Sequence, residues 1–261
     1  MTHMVTKRDI HNFLKQSGIS CDKTVLIHTS MKALGTVENG CDGIIDAFKS
    51  YLTGGLFIVP THTWANVNAE NPVYNVRETV PCIGALPRVA AFRADGVRSL
   101  HPTHSVAAFG KRAAAFVAGE EKACSPCPPG GVWARLYDED AVVLLIGVGL
   151  NRNTYIHAVD EMLDLPDRLC DPVQLTVVDY EGKRHSLNFR KHGTTGSGNF
   201  GNYRTPMEYA GAYRTSKLGT AEVGIFDVRK GTELIKKLWL KAEYNLCESE
   251  KEIPEEYYRQ S

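Results

Sequence analysis

A chain of 261 residues with 43% hydrophobic and 23% charged residues has the composition of an ordinary globular protein and is long enough to bury a substantial core. Its 30 basic and 30 acidic side chains cancel to zero net charge, which argues against nucleic acid or an anionic membrane surface as the main partner. No apolar run approaches the ~18 residues of a membrane span, the N-terminus lacks the apolar core of a signal peptide, and seven scattered cysteines suit a reducing compartment, so a cytoplasmic protein is expected.

Lys7 to Ser17 places Ile10, Phe13 and Leu14 at helical spacing, and Gly18 closes the segment. Lys23 to His28 reads as a buried strand. The turn that follows, His28-Thr29-Ser30-Met31-Lys32-Ala33-Leu34-Gly35, holds small residues and one lysine, a setting in which backbone N–H groups suit a phosphate, although Walker spacing is absent. Gly43 to Leu52 is a second helix and Leu56 to Pro60 a second buried strand. From Thr61 to about Cys82 the chain is irregular, and its amides together with Trp64 and Tyr74 point to a substrate wall. Gly84 to Phe92 reads as a helix with Pro87 in its first turn.

The segment Arg98-Ser99-Leu100-His101-Pro102-Thr103-His104-Ser105 leads into a strand-like Val106 to Gly110. His101 and His104, with Cys124 and Cys127 twenty residues on, have spacings a tetrahedral zinc site would use. Small buried cysteines in a proline turn explain the same pattern. Val132 to Tyr137 is a short helix. Val142 to Ile146 is a buried strand, Gly147 to Asn153 a loop, and Thr154 starts a helix with His157 in its first turn and Asp160 and Glu161 three and four residues later, on the same face. A histidine beside a carboxylate is the minimal equipment of a general base. Val173 to Tyr180 and His185 to Phe189 alternate as hairpin strands around Asp179 to Gly182. Lys191 to Asn202 reads as a flexible Gly-rich loop, Thr220 to Ile225 as a strand, Thr232 to Leu246 as an amphipathic helix, and Glu248 to Glu256 as a solvated acidic tail.

In this order, His28 to Gly35, Arg98 to Gly110, Ser125-Pro126, Leu144 to Gly147, Asn153 to Asp160 and Leu218 to Ala221 make the chain resemble the aminoglycoside 3-N-acetyltransferase family over about residues 7 to 240. The resemblance implies a three-layer α/β/α fold around a central mixed sheet: one acetyltransferase domain over 1–261, with a small β-rich subdomain around 170–215. It implies direct transfer of acetyl from acetyl-CoA to an amine of an aminoglycoside or other amino-sugar-like small molecule, with no metal and with a homodimer left open. His157 would be the base, Asp160 or Glu161 its carboxylate, and Thr154 an oxyanion support. CoA would lie on His28, Thr29, Ser30, Met31, Lys32, Gly35 and Ser105, and the acceptor on Trp64, Tyr74, His101, His104 and Glu208. The chain departs from the family pattern in reading His157-Ala158-Val159-Asp160 where the family has H-x-A-E. It also has no clean counterpart of a later acidic position, Phe200 to Tyr203 and Glu208 occupying that region. The alternatives are a zinc protein using His101, His104, Cys124 and Cys127, or a binding module that keeps the fold without turnover.

Overall fold

The computed structural model describes residues 4–193, 197–242, 245–246 and 251–259. Ten strands form: β1 Val25–Thr29, β2 Phe57–Pro60, β3 Val73–Asn75, β4 Val97–Arg98, β5 Val106–Phe109, β6 Val142–Ile146, β7 Leu169–Val178, β8 Arg184–His192, β9 Tyr213–Leu218 and β10 Ala221–Asp227. The helices are α1 Lys7–Gln16, α2 Met31–Leu34, α3 Gly40–Tyr51, α4 Ala85–Ala90, α5 Ala113–Val117, α6 Val132–Asp138, α7 Tyr155–Met162, α8 Arg204–Tyr209, α9 Val228–Lys241 and α10 Glu255–Tyr258.

Seven strands make one mixed sheet in the order β4-β5-β2-β1-β6-β10-β9. Its centre, β2, β1 and β6, is parallel, and antiparallel strands close it on both sides. The apolar runs read as buried strands are these three central ones. Within them successive side chains go to opposite faces. Val25 and Ile27 of β1 and Val142, Leu144 and Ile146 of β6 join a core beneath α1, α3 and α4. Leu26, Val143 and Leu145 join the other core, under α6, α7 and α9. A sheet buried on both faces is the three-layer α/β/α arrangement expected. A second sheet, β3-β7-β8, carries its own small core around Tyr74, Leu175, Val177 and Phe189.

Several expectations are corrected. The acidic end is not all solvated: Glu255–Tyr258 is helical and Ile253 and Tyr258 are buried against the main core, while residues 248–250 lie outside the described residues. The Gly-rich segment is not simply a loop. Lys191 and His192 finish β8, and Ser197–Tyr203 form a 3-10 turn that buries Phe200 and Tyr203, residues 194–196 lying outside the described residues. The last long helix begins at Val228, earlier than its apolar pattern suggested, because the Asp227 side chain accepts from Lys230 N and caps it; the helix ends at Lys241.

Candidate active site

The parallel strands β1 and β2 end on one side of the sheet, and the residues at and beyond their carboxyl ends, with the loop after β6, line a cavity of about 670 Å³. From β1 come Ile27, His28 and Thr29; from β2 and its continuation Val59, Pro60, His62 and Trp64; from the loop after β6 and the start of α7 Val148, Asn151, Arg152, Thr154 and His157. The far wall is the end of the hairpin, with Phe189, Lys191 and His192, and Thr103 and His104 complete it.

Six of the nine histidines collect here or just behind the wall. The rings of His157 and His192 are in contact, 4.1 Å between centroids, His192 lies 5.2 Å from His104, and His104 lies 4.6 Å from His62. Burial dominates their protonation. It pushes His28 down to about 3 and His101 to about 4, and holds His62, His104 and His157 well below the ordinary 6.5. For His157 the neighbouring His192 and Arg168 act in the same direction after burial, and its place in the first turn of α7, at the positive end of the helix, disfavours an imidazolium further. His157 is therefore a free base at neutral pH.

Behind it the two acids divide their work. Asp160, 1% exposed, has Oδ2 at 3.8 Å from His157 Nδ1 and 3.3 Å from Arg168 Nη2, and burial raises its carboxyl to about 6 against the pull of Arg168. Glu161 turns elsewhere: it accepts from Ser125 Oγ, accepts from Cys127 N at 2.8 Å, and stands 3.5 Å from His192 Nε2. One helix turn thus supplies the carboxylates of two histidine–carboxylate pairs, His157 with Asp160 and, from β8, His192 with Glu161. Phe200 packs on His157 at 4.8 Å and Trp133 Nε1 donates to the His104 carbonyl at 2.9 Å, fixing the wall from outside.

Of the residues expected at the site, His28, Thr29, Trp64, His104, Thr154 and His157 line the cavity. Asp160 and Glu161 stand behind it. Thr154 caps nothing; the side chain that accepts from the first helical N–H, that of Tyr155, is Asn153. Ser30 caps the single turn of α2, its own N–H donating to the Ile146 carbonyl, and Ser30, Met31, Lys32 and Gly35 are not among the residues that line the cavity. The structure keeps four others out. Tyr74 is buried and donates to the Ser99 carbonyl at 2.9 Å, with Arg98 stacked on its ring, so it holds the long loop rather than forming a substrate wall. Ser105 is buried and donates to the Thr61 carbonyl at 2.8 Å. Glu208 is on α8, paired with Arg204 at 2.9 Å. His101 is fully buried: its Nδ1 accepts from the N–H groups of Thr103 and His104, which leaves Nε2 to donate to the Ser125 carbonyl at 3.0 Å. With both its nitrogens engaged and Cys124 exposed, the proposed zinc quartet does not converge. The metal-capable atoms that do come together among the described residues belong to Cys127, Glu161 and His192.

His62 and His192 were missed in the sequence. His62 follows the carboxyl end of β2 just as His28 lies at that of β1, so the strand-end rule that singled out His28 applies to His62. His192 carried no local signal, because the hairpin reaches α7 only in three dimensions, held by Arg190 N donating to the Cys124 carbonyl and Gly193 N to that of Arg168.

A three-layer α/β/α protein with a free-base histidine in a cavity at the ends of parallel strands has the equipment for acyl transfer to an amine. The chain belongs to the aminoglycoside 3-N-acetyltransferase family, whose model matches residues 26–240. It is 28% identical over 254 residues to aminoglycoside N(3)-acetyltransferase VII of Streptomyces paromomycinus, covering 86% of this chain and 88% of that one. Among solved structures, aminoglycoside acetyltransferase AAC(3)-Xa superposes with a TM-score of 0.77 at 25% identity, covering 88% of this chain and 90% of the other. The AAC-IIIb binary complex with CoASH shares the fold at a TM-score of 0.75 and 19% identity, covering 92% and 97%. No helix among the described residues is long and apolar enough to cross a membrane.

Proposed function

We propose that this chain transfers acetyl directly from acetyl-CoA to an amine of an amino-sugar-like acceptor, the class that includes the aminoglycosides, with His157 as general base. The observation that carries the reading is His157 itself: a neutral imidazole at the wall of the cavity, with Asp160 behind its Nδ1. An ammonium cannot attack a thioester, so one N–H proton must leave before or during attack, and a histidine that is unprotonated at neutral pH takes it. Asp160 then balances the imidazolium, and the proton passes to the sulfur of the departing CoA thiolate. His28 and Thr29, in the cavity wall at the end of β1, lead into the Ser30 turn with the exposed Lys32, a path that suits the pantetheine arm and phosphates of the donor. The oxyanion is assigned to Thr154, which lines the cavity three residues before His157.

The test is release of free CoA by the His157→Ala variant, which should fall at least ~100-fold with acetyl-CoA binding retained. Unchanged turnover removes His157 from the mechanism.

A further inference from the structure

The charge of the cavity bears on the acceptor. Among its described lining residues there is no Asp or Glu. The nearest acids are already committed. Asp160 lies behind the wall against Arg168, and Glu161 accepts from Ser125 and Cys127 while facing His192. Burial keeps His62, His104 and His157 neutral, and they offer no negative charge. A polycation entering here would shed water without meeting carboxylates, which is unfavourable for each charge beyond the one His157 discharges.

The fixed charges that do line the cavity are positive. Arg152 ends the 3-10 turn Leu150–Arg152 before α7, and Lys191 is the penultimate residue of β8, on the opposite wall beside His192. Neither is in an ion pair with a carboxylate among the described residues. A guanidinium and an ammonium facing one cavity match a carboxylate or phosphate, the guanidinium through paired N–H donors.

We propose that the acceptor is a monoamine carrying an anionic group, carboxylate or phosphate, held by Arg152 and Lys191 while its ammonium is presented to His157, and that polycationic aminoglycosides are disfavoured. The proposal rests on the acetyl-transfer reading of the cavity. It assigns specificity to Arg152 and Lys191 and leaves the donor phosphates to the Ser30 to Lys32 side.

The experiment measures CoA release by the intact protein with acetyl-CoA and three acceptors: kanamycin as polycation, glucosamine as simple monoamine, and glucosamine 6-phosphate as monoamine with an anion. Calorimetric binding of each to the CoA-loaded protein runs alongside. Glucosamine 6-phosphate should bind and be used at least ~10-fold better than glucosamine, and kanamycin least, with Arg152→Gln or Lys191→Gln collapsing that ratio. Preference for kanamycin, failure of glucosamine 6-phosphate to bind better than glucosamine, or a loss in the variants that falls on the KM of acetyl-CoA with acceptor discrimination intact, overturns the proposal. Acetyl-CoA binding without any amine separates the two readings. Its absence sinks the acetyl-transfer assignment, whereas intact donor binding with kanamycin preferred sinks only the charge assignment.

Discussion

Mild acid should unfold this protein through its histidines. His28, His62, His101, His104 and His157 are held below the ordinary 6.5 by burial, so in the folded state they bind fewer protons than in the unfolded chain once the pH drops below that value. Stability is then fully present above about pH 6.5 and lost below it. Between pH 7 and about 5.5 each such imidazole costs about 1.2 kcal/mol, or about 6 kcal/mol for the five. Two buried carboxyls oppose this. Glu120, raised to about 7, and Asp160, raised to about 6, take up protons in the folded state first. Together they return about 2 kcal/mol over the same interval, leaving a net loss of about 4 kcal/mol. That is a large part of the total stability of a typical domain. Urea unfolding followed by circular dichroism should show a midpoint lower by about 1 to 2 M at pH 5.5 than at pH 7. An equal or higher midpoint at the lower pH would refute the argument that these rings are buried as free bases.

Other outcomes follow from the same geometry. His192→Asn removes one of the influences that depress His157, so the acid limb of kcat/KM, recorded from about pH 5.5 upward, should move to higher pH; an unmoved limb means the two rings are not coupled. Gly147→Ala forces a side chain onto a residue with φ of +66°, where its Cβ would stand 2.3 Å from that of Ala33; it should destabilise by more than ~1 kcal/mol in urea and raise the KM for acetyl-CoA through the displaced Ser30 turn. Phe200→Ala opens a void beside His157 and should lower stability by about 3 kcal/mol, with a drop in kcat, measured by thermal unfolding and CoA release.

The layers of the fold were readable because the central strands are apolar on both faces and the helices that cover them are amphipathic. Val142–Ile146 has the bounds its apolar run indicates. Strand β9 was not found, since Arg214, Thr215 and Lys217 make an edge strand look like polar coil while only Tyr213 and Leu218 are buried. At the cavity, His157 was legible from helix spacing and its position after a strand. The partner of each acid was not, because Asp160 and Glu161 are adjacent in sequence and differ only in what the fold brings to them: Arg168 for one, and Ser125, Cys127 and His192 for the other. Tyr74, Ser105 and His101 drew notice as polar residues in suggestive segments, yet each is hydrogen-bonded to the backbone of neighbouring loops, donating to the carbonyls of Ser99, Thr61 and Ser125, and steadies the loops that form the walls.

The register between β1 and β6 pairs Thr29 with Ile146, and one residue further Ser30 N donates to the Ile146 carbonyl at 2.9 Å. The two strands therefore release their chains at the same level: one into the turn read as the donor side, the other into the loop and helix that carry His157. On the proposed reading, the spacing between the thioester and His157 is thus set by the backbone ladder. On the same reading, changes at Trp64, Arg152 and Lys191 in the outer walls alter which amine is accepted without moving the paired ends of β1 and β6.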